Sequence, residues 1–146
     1  RITGKDVKDV PGAGAAGGLG GGFLAFLNAR LERGIEMVLD AIAFDDIIRG
    51  ADLVITGEGR VDSQTLTGKT PFGIMKRAQK QNIRTVAIGG SVMLGEDDDV
   101  SGFDMVIPVT PEGMSLEEAM KAETASANVR ESVKKVMLTY KTEENE

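Results

Sequence analysis

The stretch DLVITGEGRVDSQTLTGK, residues 52–69, decides the fold of this chain. It begins with the uncharged apolar run at residues 53–55, which is typical of a strand buried in a parallel sheet because both faces of such a strand are covered. Glycines at 57 and 59 end this run, and charged and amide side chains follow. In open α/β sheets, ligands bind beyond the carboxyl ends of the strands. The loop that we expect after the strand is therefore the first candidate for a functional site.

The remaining sequence predicts helices and two more strands around this stretch. The patterns indicate helices at about 18–31 and 35–42, a helical turn at 44–49, a helix from a Thr70 cap to about 82, strands at 84–88 and 104–109, and a final long helix capped by Ser115 and Glu118. Strands separated by crossover segments favour an α/β fold with a parallel sheet.

The predicted sheet is small for its class. Three strands fall below the usual four to six, and these three are too apolar to form exposed edges. The chain also begins with Arg1 rather than Met. We therefore expect a fragment whose sheet is completed by strands from an upstream part of the same protein or from a partner.

Composition excludes several classes of function. The net charge of -6 arises largely from seven acidic residues in the 96–99 run and the C-terminal tail, and the rest of the chain is nearly neutral, without a basic stripe for nucleic acid. The absence of cysteine and histidine excludes thiolate chemistry and the usual zinc ligands, so acid–base chemistry falls to Asp, Glu, Lys or Tyr140. No apolar run approaches the roughly 20 residues of a membrane span.

Residues 12–17, GAGAAG, match the dinucleotide-binding pattern G-x-G-x-x-G. That pattern requires a hydrophobic strand directly before it, and residues 9–11 do not form one, which disfavours a dinucleotide site. Two interpretations stay open. The small residues let the following helix pack closely against a neighbour, or the turn and the helix N-terminus bind a phosphate or carboxylate through backbone N–H groups. The second interpretation uses Gly12, Gly14, Gly17 and Gly18.

Residues 63–70, SQTLTGKT, resemble the end of a P-loop, but Ser63 stands where the leading glycine belongs. This disfavours a Walker A site. Lys69, beside Gly68 at the start of a helix, is still well placed to contact a phosphate. The alternative is a lysine whose ammonium group lies in water.

Glu58, Arg60 and Asp62 occupy alternate positions within the stretch 52–69. Residues two apart in an extended segment point the same way, so two carboxylates and a guanidinium converge on one crevice. This set suits a Mg²⁺-bound phosphoryl donor, because carboxylates hold the metal or accept a hydroxyl proton while a cation balances phosphoryl charge. The alternative is a local ion pair between Arg60 and a carboxylate, worth about 1 kcal/mol.

Three blocks of sequence together resemble the glycerate kinase family, in particular the bacterial type that phosphorylates D-glycerate on its 2-hydroxyl. The blocks are PGAGAAGGLG at 11–20, DLVITGEGRVDSQTLTGKTPFG at 52–73 and VAIGGS at 86–91. Their spacing and the segment LEEA at 116–119 also fit, so the resemblance covers essentially the whole chain.

The resemblance implies a Rossmann-like or flavodoxin-like parallel sheet layered with helices, incomplete because the N-terminal part of the enzyme is absent. Residues 1–146 would be the C-terminal portion of a two-domain kinase, with a linker and glycine-rich turn at 1–17 and α/β layers at 18–146. The implied enzyme is cytoplasmic, uses ATP and Mg²⁺, and converts D-glycerate to a phosphoglycerate. The 2-phosphate is the favoured product, and the choice between the 2- and 3-phosphate stays open. No nucleic-acid or membrane partner is expected, and a homodimer is one option.

Side-chain chemistry, rather than the resemblance, assigns the individual roles. We predict catalytic roles for Asp62, Glu58, Arg60 and Lys69, with Glu58 and Asp62 also as metal ligands. The predicted substrate or phosphate contacts are Gly12, Gly14, Gly17, Gly18, Gly57, Gly59, Ser63, Gln64 and Gly68. Two alternatives remain: a non-catalytic Rossmann-like module that senses a nucleotide or sugar phosphate, and a fragment that folds but is inactive.

Overall fold

The computed structural model describes residues 3–27 and 29–143, and the chain divides into two compact units between Ile42 and Ala43. The first unit, Arg1–Ile42, contains helices α1 (Ala15–Leu27) and α2 (Gly34–Ala41). The predicted second helix is confirmed, while the first begins earlier and ends earlier than the predicted 18–31. Three successive left-handed residues at 16–18 kink α1 near its start.

The glycine-rich turn folds back onto α1. The Gly21 N–H donates to the Ala13 carbonyl at 2.8 Å. A Cβ added to Gly20 would lie 2.5 Å from the Gly12 carbonyl oxygen, so this contact requires glycine. The small residues in this unit therefore serve close backbone packing, one of the two interpretations that the sequence left open.

The second unit, Ala43–Glu146, contains the sheet. Its elements are α3 (Phe44–Ile47), β1 (Leu53–Asp62), α4 (Thr65–Gly68), α5 (Thr70–Gln79), β2 (Arg84–Met93), β3 (Met105–Pro108), α6 (Leu116–Ala119) and α7 (Ala122–Glu143). The strands lie in the order β1-β2-β3 and both pairings are parallel. The α/β class and the parallel sheet are thus confirmed.

The first strand is longer than predicted, because it continues through the glycines to Asp62 instead of ending in a loop. It pairs with β2 from Leu53 opposite Arg84 to Asp62 opposite Met93. A Cβ on Gly90 would lie 2.5 Å from the Gly59 carbonyl oxygen, so the two backbones can approach this closely only because Gly90 lacks a side chain. The glycines in this part of β1 and β2 therefore allow the backbone pairing of the two strands to continue to Asp62.

Helix α5 holds the sheet through two apolar clusters. Met75 packs with Leu66, Ala87 and Phe103, and Ala78 packs with Ile48 and Ile83. The apolar run at residues 53–55 is only half-buried, since β1 lies at an edge of the described sheet.

Two predicted helix caps have different outcomes. The Ser115 hydroxyl accepts a hydrogen bond from the Glu118 N–H at 3.2 Å, as predicted, but it caps the four-residue α6, and the long α7 starts separately at Ala122. Thr70 is the first residue of α5 rather than its cap. Lys69 occupies the cap position, but its side chain makes no capping hydrogen bond to the backbone of the helix. Within the described ranges, no helix has the length and apolar character to cross a membrane.

We predict that Gly90→Ala lowers the free energy of unfolding by about 1–3 kcal/mol, because the added methyl group clashes with the Gly59 carbonyl. Urea unfolding measures the change. Gly59→Ala is the matched control, since no heavy atom lies within 4 Å of its added Cβ. Equal losses in both variants would contradict the close-approach explanation.

Candidate functional site

A cleft of about 990 Å³ opens beside the carboxyl ends of the strands. One side is formed by the second halves of β1 and β2 and by residues 108–110 at the end of β3. The other side is formed by α6, the segment before it and the first half of α7. This is where open α/β sheets bind ligands.

Strand β1 brings Glu58, Arg60 and Asp62 to this cleft. They alternate along an extended segment, so all three share one face. Arg60 is exposed, and its guanidinium makes no ion pair or hydrogen bond with any residue of the described ranges. The alternative prediction, in which Arg60 pairs with a neighbouring carboxylate, is therefore wrong.

The fully buried hydroxyl of Thr65 joins the two carboxylates. Its oxygen lies 2.8 Å from Glu58 Oε2 and 3.2 Å from Asp62 Oδ1, and it accepts a hydrogen bond from the Asp62 N–H at 3.2 Å. The Thr65 N–H in turn donates to Asp62 Oδ1 at 3.1 Å. Asp62 and Thr65 thus each accept a hydrogen bond from the backbone N–H of the other, as short polar side chains do at turns.

Sequence reasoning missed Thr65. The signal that identifies it is the spacing Asp62-x-x-Thr65 at the point where the chain leaves an extended segment and enters a helical turn, because that spacing permits reciprocal side-chain and backbone hydrogen bonds.

Lys69 completes the network from the start of α5. Its Nζ lies 3.1 Å from Asp62 Oδ1. The Lys69 hydrogen bond is the main reason that the pKa of Asp62 lies below its ordinary value of 3.8, and the Thr65 N–H lowers it further against the opposing effect of desolvation. Asp62 is therefore a fixed negative charge at neutral pH and a weak proton acceptor.

Each carboxylate keeps one oxygen without a partner among the described residues, Oε1 of Glu58 and Oδ2 of Asp62. These hard oxygen atoms suit Mg²⁺, which commonly takes one or two carboxylates and completes its shell with water and phosphate oxygens. No cluster of three or more acidic side chains able to hold a metal occurs in residues 3–27 and 29–143. The donor set fits a metal shared with a substrate.

The other predicted contact residues lie in several places. Gly59 lines the main cleft, Gly57 lines a neighbouring cavity, and Ser63 faces a third cavity beside the acidic 97–99 loop. Gln64 is exposed before α4, and Gly68 ends that helix. These positions surround the carboxylate network without forming one contact surface.

The predicted glycine contacts at 12, 14, 17 and 18 belong to the first compact unit. The Gly18 N–H donates to the Gly14 carbonyl at 3.2 Å, and the ligand contacts predicted at these four glycines stay predictions.

Comparison with known proteins gives one consistent family. The family model described as "Glycerate kinase family" matches residues 1–141. A glycerate kinase of Halalkalibacterium halodurans is 49% identical over 119 residues, covering 81% of this chain and 31% of the relative. A glycerate 2-kinase of Escherichia coli is 46% identical over 121 residues, covering 80% and 31%.

The fold has a solved counterpart. A crystal structure from Salmonella typhimurium, assigned as glycerate kinase 2, aligns with a TM-score of 0.70 and 41% identity over 99% of this chain and 36% of the other. The chain thus spans about a third of the length of each of these three proteins.

We predict that Thr65→Val lowers the free energy of unfolding by about 1–3 kcal/mol, because the isosteric side chain leaves the Asp62 N–H and the Glu58 carboxylate without their partner. Thr65→Ser keeps the hydroxyl and is the matched control. Urea unfolding compares the two, and a serine variant as unstable as the valine variant would disprove the hydroxyl's role.

We predict that Lys69→Met raises the pKa of Asp62, whereas Lys69→Arg keeps it low, as measured by NMR titration of the carboxyl carbon. Because the folded-state pKa lies below 3.8, the stabilisation by this pair is present above pH 3.8 and is lost as the pH falls through the folded-state value. The methionine variant should accordingly lose more stability at neutral pH than in strong acid. An unchanged Asp62 titration would contradict the assigned cause.

Proposed function

Because the chain belongs to the glycerate kinase family, we propose that it forms part of an enzyme that transfers the γ-phosphoryl group of ATP to the 2-hydroxyl group of D-glycerate. The observation that carries the proposal is the convergence of two carboxylates and an unpaired guanidinium on one cleft. Phosphoryl transfer needs these groups, since its catalysis is mainly positioning and charge stabilisation. The name of the Escherichia coli relative, glycerate 2-kinase, supports the choice of hydroxyl.

The two carboxylates receive different roles because their partners differ. Asp62 is paired with the Lys69 ammonium, which makes it a poor base and favours a role as a ligand of Mg²⁺. Glu58 makes no ion pair with a lysine or arginine of the described residues, and its carboxylate is hydrogen-bonded to the neutral Thr65 hydroxyl. Glu58 is therefore the better candidate to accept the proton of the glycerate hydroxyl. Mg²⁺, when bound, neutralises charge on the transferring phosphoryl group.

The two cations also differ. Lys69 is engaged by Asp62 and positions that carboxylate. Arg60 is not engaged, and its planar guanidinium is suited to bidentate contact with a carboxylate or phosphate. Arg60 is accordingly the residue that we assign to direct contact with an anionic substrate group.

We further propose that the chain is the C-terminal portion of a two-domain cytoplasmic enzyme and that the rest of the enzyme supplies the remainder of the substrate sites. The coverage of about a third of each relative supports this. The predicted homodimer remains a prediction, as does inactivity of the chain by itself.

The test is an ADP-release assay of the complete enzyme with ATP, Mg²⁺ and D-glycerate, followed by ³¹P NMR of the product. We expect Glu58→Gln and Asp62→Asn to lower kcat by about 10²–10⁴. Asp97→Asn, an exposed acid outside the main cleft, is the matched control and should leave kcat unchanged.

Three outcomes would count against the proposal. Variants within a few-fold of the parent would remove the catalytic roles of the two carboxylates. A product phosphorylated on the 3-hydroxyl would correct the position of transfer. A complete protein that binds ATP but releases no ADP with glycerate would favour the sensor module.

A further inference from the structure

The main cleft has a charged end and an apolar end. Its charged lining residues are Glu58, Arg60 and Asp62, all on β1. The lining from residue 108 to residue 129, contributed by the end of β3, by α6 and by α7, carries no charged side chain. A complementary ligand therefore has an anionic or metal-binding end and an apolar end.

The apolar end is open. Leu116 and Met120 are 78% and 75% exposed, and together with Met114 and Val129 they form an apolar wall that includes two flexible methionines. Unbranched methionine side chains adapt to the shape of a ligand, and methionine sulfur makes favourable contacts with aromatic groups. This wall thus suits a planar aromatic group rather than a sugar acid.

Asn128 supplies a polar group to this wall. Its Nδ2 donates to Met114 Sδ at 3.4 Å, and its Oδ1 has no partner among the described residues. A thioether is a weak acceptor, so the amide can exchange that bond at little cost. The side-chain amide of asparagine matches the donor and acceptor on the edge of an adenine ring.

We propose that the apolar end of the cleft binds the adenine base of the phosphoryl donor, with Asn128 hydrogen-bonded to the edge of the base. This inference rests on the proposed kinase function, which requires a nucleotide. The base would lie against α7 while the phosphates extend towards Arg60 at the charged end. A volume of about 990 Å³ is at the upper limit of ordinary small-molecule pockets, about 300–1,000 Å³, which leaves room for a nucleotide and a small acceptor.

The test uses the complete enzyme and two variants of α7. Ala125→Leu fills the apolar end, and Asn128→Leu removes the amide while keeping its approximate volume. Ala127→Leu is the matched control, because Ala127 is exposed on the same helix and does not line the cleft. Two readouts are needed: calorimetric binding of ADP, which requires no turnover, and steady-state KM values for ATP and D-glycerate.

We expect both cleft variants to weaken ADP binding and raise the KM for ATP about tenfold, the effect of one lost hydrogen bond or a comparable steric clash. The KM for D-glycerate should stay within about twofold. Asn128→Leu should also reduce the preference for ATP over GTP, a readout that a merely structural role would not change. Ala127→Leu should match the parent.

The outcomes separate this inference from the function on which it rests. A rise in the KM for D-glycerate alone would overturn it and assign the apolar end to the acceptor. Unchanged ADP binding in both cleft variants would also overturn the proposed base site. That result is expected if another segment of the protein covers the apolar wall. ADP binding that Asn128→Leu weakens, without any turnover of glycerate by the parent, would support the base site and refute the kinase function.

Discussion

The candidate site depends on the parallel hydrogen bonding between β1 and β2 continuing past the glycines. Because the backbones meet closely at Gly59 and Gly90, β1 stays extended to Asp62. An extended backbone places alternate side chains on one face, so Glu58, Arg60 and Asp62 share a cleft. A strand that ended at Gly57 would have left their directions to a flexible loop. The site is therefore built on a rigid element, which favours accurate positioning of catalytic groups.

The network around Asp62 uses some polar atoms for internal hydrogen bonds and leaves others without a partner among the described residues. The Lys69 ammonium donates to Asp62 Oδ1, and the Thr65 hydroxyl accepts from the Asp62 N–H and donates to Glu58 Oε2. One oxygen of each carboxylate is therefore held. The opposite oxygens and the Arg60 guanidinium are left for a ligand. Polar groups that are already held in place need little rearrangement when charge develops in a reaction.

Local patterns were sufficient for the fold class. The apolar run at residues 53–55 and the segment RTVAI at residues 84–88, separated by a helix, predict parallel strands, and the structure confirms them. The length of β1 was not predictable in the same way, because glycine favours a turn locally and favours strand pairing only when a second glycine segment lies opposite. The convergence of Glu58, Arg60 and Asp62 was predicted from their spacing, although we expected a loop. The spacing of Thr65 from Asp62 was a local signal that we overlooked, whereas its bond to Glu58, seven residues away, depends on how the chain turns back on the strand.

The shortness of β3 limits how the sheet can grow. In the part of the chain that the structure describes, β1 and β3 are the two edge strands. The β3 edge offers four residues and ends at Pro108, which has no N–H to donate, so it is a poor template for another strand. The β1 edge runs for ten residues and has no proline. Among the described strands, the β1 edge is therefore the better template for an additional strand, and the sheet offers different opportunities for pairing at its two edges.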